Sequence, residues 1–335
     1  MPMPTLFEKG CAYYLDALTT LTQQPLNVSS RYWDRIFYDV GSLSRGDENT
    51  LFADKRGGIL SPFAYGEGEI LVVPPSGAGR EIRYYKQTQQ FLDKESQDIR
   101  AIVVAGVGSS VYGTAALARN VADTYECDVA GIVAGYGGLN LQTEALGGYF
   151  LLGLQERAGL RSTKLVAPTA DVKTLVDILL ADPPQLEHLV GHSKGSLLID
   201  FALEQFVEEH QDAPEPSRYD PLIERLNIVT LGAVVSPHER FNKNVRQFMG
   251  QLDHLGWLNS HLGILYEEVP GAGHQLNPNP VMPLRGEALD VSKVLPSKPG
   301  AFPEKKVSQW FGAPAALSEG VRRLTETAAP SRPAP

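Results

Sequence analysis

Apolar residues along this chain come in short unbroken runs. Glu69-Ile70-Leu71-Val72-Val73 ends at Pro74-Pro75, and Ala101-Ile102-Val103-Val104-Ala105 breaks at Gly106-Val107-Gly108. Asp128 to Ala134, Leu186 to Val190, Leu226 to Val235, Val245 to Met249 and Leu262 to Val269 are further runs of strand length. Among these, Val245 to Met249 holds Arg246 and Gln247 and is also open to a helical reading. Between the runs, Ile82 to Leu92, Val111 to Tyr125, Thr169 to Ala181 and Ser193 to Glu208 read as helices. Strands alternating with helices of this length predict βαβ units and an α/β fold with a mostly parallel sheet and flanking helices. Right-handed crossovers bring the C-terminal ends of the strands to one edge, where open α/β sheets bind their ligands.

Residues 1–60 differ in composition. Phe7 to Leu21 reads as an amphipathic helix, and the aromatic-rich Arg31 to Val40 as a second short one. A helical extension packed on the main domain, 61–325, is the expectation. A membrane-surface helix would need a basic polar face, and this one carries Glu8, Lys9 and Asp16. The interval 138–165 is longer than a strand-to-helix connection requires and contains Tyr149-Phe150-Leu151-Leu152. It reads equally as an extra core helix or a small lid over a pocket. The tail from Thr325, residues 326–335 above all, is rich in proline and alanine and reads as disordered.

Composition narrows the class. The chain has 335 residues, enough for a large core without disulfides. Thirty basic against 39 acidic residues give a net charge of −9, with no basic run, so nucleic acid is not an expected partner. Two cysteines, Cys11 and Cys127, exclude a disulfide framework and a cysteine zinc site. No H-E-x-x-H, histidine pair or carboxylate-rich loop points to a metal, and no cofactor is expected. Gly106-Val107-Gly108 lacks the spacing of a dinucleotide loop. No transmembrane segment and no secretory leader stand out, so a cytoplasmic location is expected.

The chemistry concentrates at Gly191-His192-Ser193-Lys194-Gly195, a G-x-S-x-G between an apolar strand and a helix-forming run. A serine on such a tight turn is lifted above the sheet edge, and the following amide, Lys194, points to where an oxyanion would form. A serine nucleophile needs a base, and the base an orienting acid. Seven histidines compete. His192 lies inside the turn, His188 within a strand and His210 at a helix end, while His238, His254 and His261 lie in polar loops. His274, in Pro270-Gly271-Ala272-Gly273-His274 after the last strand, falls at the right edge of the sheet. For the acid, Asp253 follows Val245 to Met249, and Glu239 follows the preceding strand as its competitor.

With these motifs in chain order, residues 101–274 resemble an α/β-hydrolase. Ala105-Gly106-Val107-Gly108-Ser109-Ser110 is similar to the family's loop after strand three, although Ala105 stands where a histidine is frequent. Gly135-Tyr136-Gly137-Gly138 resembles the turn after strand four. The order Ser193, Asp253, His274 is the family's order. The resemblance implies oxyanion donors at the amides of Val107 and Lys194, and an acyl-enzyme on Ser193. The expected activity is that of an esterase or lipase on a small-molecule or lipid ester, with the apolar 149–152 favouring a hydrophobic acyl group. A thioesterase or acyltransferase would use the same residues, and a non-catalytic binding protein on the same scaffold is the alternative from another class.

Overall fold

A computed structural model describes residues 33–52, 66–106, 109–134, 169–211, 216–258, 260–261, 264–282 and 284–295. The expected helix Phe7 to Leu21, the interval 138–165, the Gly135 to Gly138 turn and the tail from Thr325 lie outside these residues.

Among the described residues eight strands form one sheet: β1 (Ile70–Val73), β2 (Arg83–Tyr85), β3 (Ala101–Val104), β4 (Val129–Ile132), β5 (His188–His192), β6 (Asn227–Leu231), β7 (Val245–Gly250) and β8 (Glu267–Val269). Their order is β2-β1-β4-β3-β5-β6-β7-β8. β1 is antiparallel to β2 and β4, and the six strands β3 to β8 are parallel. The helices are α1 (Arg45–Phe52), α2 (Thr88–Glu95), α3 (Val111–Tyr125), α4 (Ala170–Leu180), α5 (Lys194–Gln211), α6 (Asp220–Arg225), α7 (His254–Leu258) and α8 (Val291–Val294).

The lack of alternation in the strands has a direct cause. Leu71, Val73, Ala101, Val103, Val190 and Val229 join one buried layer with α3 and α8. Ile70, Val72, Ile102, Val104, Leu189 and Ile228 join the opposite layer with α4 and α5. A strand covered on both faces is apolar at every position. Each fully buried Val, Leu or Ile contributes about 1.5–3 kcal/mol. The helical turn at 33–37 and Tyr38 belong to the α3 side, with Trp33, Ile36, Phe37 and Tyr38 all buried there.

Several sequence expectations change. Ile82 to Leu92 is not one helix, because Arg83–Tyr85 pairs with β1 and the helix begins at Thr88. The Arg83 guanidinium binds Glu95 and Asp128, which holds this short segment extended at the sheet margin. β6 stops at Leu231, since Gly232 has φ +64° and turns the chain. Among the described residues of the last run, only Glu267–Val269 is strand. Val245–Gly250 is a strand, and its polar residues have partners within the sheet's surroundings. Arg246 pairs with Glu267 on β8, and Gln247 bonds to the loop after β6.

Strand order also locates a switch point. β4 lies on one side of β3, and the chain then crosses so that β5 lies on the other. The helices that follow β3 and β5 lie in opposite layers, which makes this the topological switch point of the sheet, where open α/β sheets bind ligands. No helix among the described residues is long and apolar enough to cross a membrane.

Candidate active site

Ser193 lies at that switch point, between β5 and α5. Its φ of +54° is one of three positive values among described non-glycine residues. A non-glycine residue in this region carries about 1–3 kcal/mol of strain. The turn survives because both sides are pinned. Ser193 N donates to Leu231 O at 2.8 Å, and Ser196 N donates back to Ser193 O at 3.0 Å. Close packing of helix on strand also demands glycine at 195, where a methyl would overlap the carbonyl oxygen of Val104. Lys194 opens α5, so its amide points out of the helix N-terminus. Its side chain runs inward, with Nζ 3.3 Å from Ala134 O.

His274 follows β8 on a loop held from several directions. Gly273 N donates to Glu287 O, Gln275 Nε2 to Gly286 O and Leu276 N to Phe37 O. The Phe37 ring meets the imidazole edge-on at 5.6 Å between centroids. Asp253 sits in the turn after β7. Leu252 N donates to Ala272 O at 2.8 Å, which ties the two loops together.

Three side chains from these three loops meet. Both oxygens of Asp253 lie 2.8 Å from His274 Nδ1, and His274 Nε2 lies 3.0 Å from Ser193 Oγ. An ionised carboxylate only accepts, so Nδ1 carries the proton and Nε2 presents its lone pair to the serine hydroxyl. The Asp253 side chain is fully buried and also takes the Gly256 amide on Oδ1 at 2.6 Å. The arrangement can accept a proton from Ser193 and hold the resulting imidazolium against a buried anion.

The other candidates fall elsewhere. Glu239 is exposed at the start of a 3-10 turn after β6. His238 accepts the Arg240 amide in that turn, and His254 faces Arg285. His188 is stacked on Tyr125 at the opposite end of β5, and burial lowers its pKa to about 4. In α5's last turn His210 Nδ1 donates to Phe206 O and its Nε2 accepts from the Arg240 guanidinium. Val107 and Gly108 lie outside the described residues, so of the two expected oxyanion donors only Lys194 has a described position.

Two residues around the site, Asp34 and Tyr38, were not singled out by sequence, and His192 was weighed there only as a base. Tyr38 and His192 bridge the loops around Ser193. Asp34 is wholly buried and takes the Ser110 amide at 3.1 Å and the Ser110 hydroxyl, at the start of α3. Burial raises its pKa to about 7 despite those donors. For Asp34 and Tyr38 the available signal was an aspartate among three aromatics in the segment Trp33 to Tyr38.

Among the described residues no group of three His, Cys, Asp or Glu side chains could hold a metal. No protein-family model matches the chain, and no curated protein or solved structure matches it either.

Proposed function

We propose that this chain is a serine hydrolase of the α/β-hydrolase kind, cleaving a carboxylic ester through an acyl-enzyme on Ser193. The observation that carries this reading is the unbroken line Asp253, His274 Nδ1, His274 Nε2, Ser193 Oγ at the C-terminal strand ends, by the β3–β5 switch point. In the reaction, Ser193 Oγ attacks the ester carbonyl carbon while His274 Nε2 takes its proton. The carbonyl oxygen becomes an oxyanion facing the N-terminus of α5, where the Lys194 amide donates. The tetrahedral adduct collapses, the C–O bond to the alcohol breaks, and His274 returns the proton to the alcohol oxygen. Water, deprotonated by the same nitrogen, attacks the acyl-serine, and the acid leaves with Ser193 regenerated. Asp253 keeps the Nδ1 tautomer throughout and balances the imidazolium.

A serine-reactive phosphonate and a series of p-nitrophenyl acyl esters test the reading. Labelling at Ser193 and turnover of at least one ester are expected, and Ser193→Ala should abolish labelling and lower kcat by roughly 10⁴- to 10⁶-fold. A folded wild-type protein that neither labels nor turns over any ester overturns it. Labelling without ester turnover would move the acceptor from water to another nucleophile.

A further inference from the structure

His192 precedes Ser193 and its ring turns away from it. His192 Nε2 lies 2.9 Å from the main-chain oxygen of His274, and His192 Nδ1 lies 2.9 Å from the Tyr38 hydroxyl. The amide of Gly106, in the loop after β3, donates to the same hydroxyl at 2.6 Å. Tyr38 and His192 are buried.

Chemistry leaves one arrangement of protons for this chain. The His274 carbonyl only accepts, so His192 Nε2 is the protonated nitrogen. With His192 neutral, Nδ1 then only accepts. The Gly106 amide only donates, so the Tyr38 oxygen accepts from it and gives its own hydrogen to His192 Nδ1. Every donor in the series has an acceptor, in a dry setting where a lost partner leaves a buried polar group unpaired. Burial is in accord with this, since it drives the His192 pKa down to about 3 and keeps the ring neutral.

The relay spans the site. At one end is Gly106, packed so tightly that a methyl there would stand 2.9 Å from Ser193 Cβ. At the other is the backbone of His274, whose ring lies 4.9 Å from that of His192 between centroids. Tyr38 itself is anchored in the helical turn at 33–37, whose Asp34 holds the first residues of α3 and whose Phe37 carbonyl holds Leu276. Three separate loops are thus joined through two side chains.

We propose that Tyr38 and His192 are positioning residues for the Ser193 reaction. Together they set the distance between the loop after β3 and the backbone of the base, on either side of the nucleophile. They touch neither substrate nor the reacting atoms, and this inference rests on the hydrolase reading for its kinetic part. Tyr38→Phe leaves the Gly106 amide and His192 Nδ1 without this partner and removes a single oxygen from the core. His192→Gln keeps a donor for the His274 carbonyl, His192→Asn keeps an acceptor for Tyr38, and His192→Leu keeps neither.

Kinetics, hydrogen exchange and imidazole NMR on the full chain test the relay. Tyr38→Phe and His192→Leu should each lower kcat by about 10- to 100-fold with little change in KM, as expected for a displaced reacting group. The double variant should fall no further than the worse single, because two links of one chain are coupled. His192→Gln should recover part of the loss. In the resting protein, Tyr38→Phe should also raise exchange at the Gly106 amide and move the Nδ1 proton resonance of His274. Single variants with wild-type kcat and an unmoved His274 resonance overturn the proposal, as do losses that multiply in the double variant. A loss confined to KM, or one that His192→Gln leaves unrelieved while lowering the melting temperature equally, also overturns it. Should the wild type prove inactive, the hydrolase reading falls by itself, and the exchange and resonance measurements still decide whether Tyr38 and His192 hold His274.

Discussion

Gly232 lies against the imidazole of His274 closely enough that a methyl on its α-carbon would be 3.1 Å from Nδ1. The same methyl would be 3.1 Å from Asp253 Oδ2. Gly232 also has φ +64°, where an alanine is strained. The residue that ends β6 therefore leaves room for the hydrogen bond between acid and base.

Gly232→Ala should accordingly disturb the pair more than the fold. The backbone cost is about 1–2 kcal/mol, and displacement of the imidazole should lower kcat by about 100-fold. Urea denaturation alongside ester kinetics separates the two. A variant with unchanged kcat would mean that the Asp253–His274 pair tolerates displacement.

Asp253→Asn should lower kcat by about 10⁴-fold, because an amide offers His274 the wrong tautomer. Glu239→Gln should leave it near wild type, since that carboxylate is exposed on the loop after β6. Measuring kcat for both is sufficient. An inactive Glu239→Gln beside an active Asp253→Asn would reverse the assignment of the acid.

Gln247 should matter for stability. Its Oε1 accepts from Val235 N at 2.7 Å and its Nε2 donates to Val235 O at 3.1 Å. Gln247→Leu strands both buried groups of Val235, at a cost of about 2–4 kcal/mol. The urea midpoint should fall with no change in slope. A midpoint within error of wild type would show that Val235 finds other partners.

Asp34 should add a pH dependence of its own. Its pKa is raised from the ordinary 3.8 to about 7 by burial. Between those values the folded chain retains a proton that the unfolded chain has released. Its contribution to stability is therefore complete below the lower value and is lost as pH rises through about 7. Asp34→Asn stays neutral throughout, so its stability relative to wild type should improve as pH rises from about 4 to about 7. The buried His192 and His188 titrate in the opposite sense but are present in both proteins, so they cancel in the difference. A difference that does not vary with pH would place the Asp34 pKa near that of an exposed aspartate.

Much of the architecture was legible in the chain itself. Runs such as Ala101 to Ala105 and the helical stretch Val111 to Tyr125 state their type locally, because strand and helix periods are properties of neighbouring residues. The mostly parallel sheet follows from their alternation. Ser193 at the end of a strand was legible for the same reason: Gly191 and Gly195 flank it within one turn. Arg83–Tyr85 was misread because three residues carry too little period to separate strand from helix. The strand Val245–Gly250 was ambiguous because Arg246 and Gln247 answer to Glu267 and Val235, partners that local pattern does not reveal.

What the chain determined alone was therefore the order of elements and the set of residues that reach the C-terminal edge of the sheet, Ser193, Glu239, Asp253 and His274 among them. Which carboxylate lies against His274 was decided only in three dimensions. Asp253 and His274 are 21 residues apart and meet because β7 and β8 are adjacent and parallel, with Leu252 bound to Ala272. The link from Tyr38 to His192 spans 154 residues and exists because the turn at 33–37 packs over the start of α3. Hydrogen bonds of this reach are set by how layers stack, and no spacing along the chain encodes them.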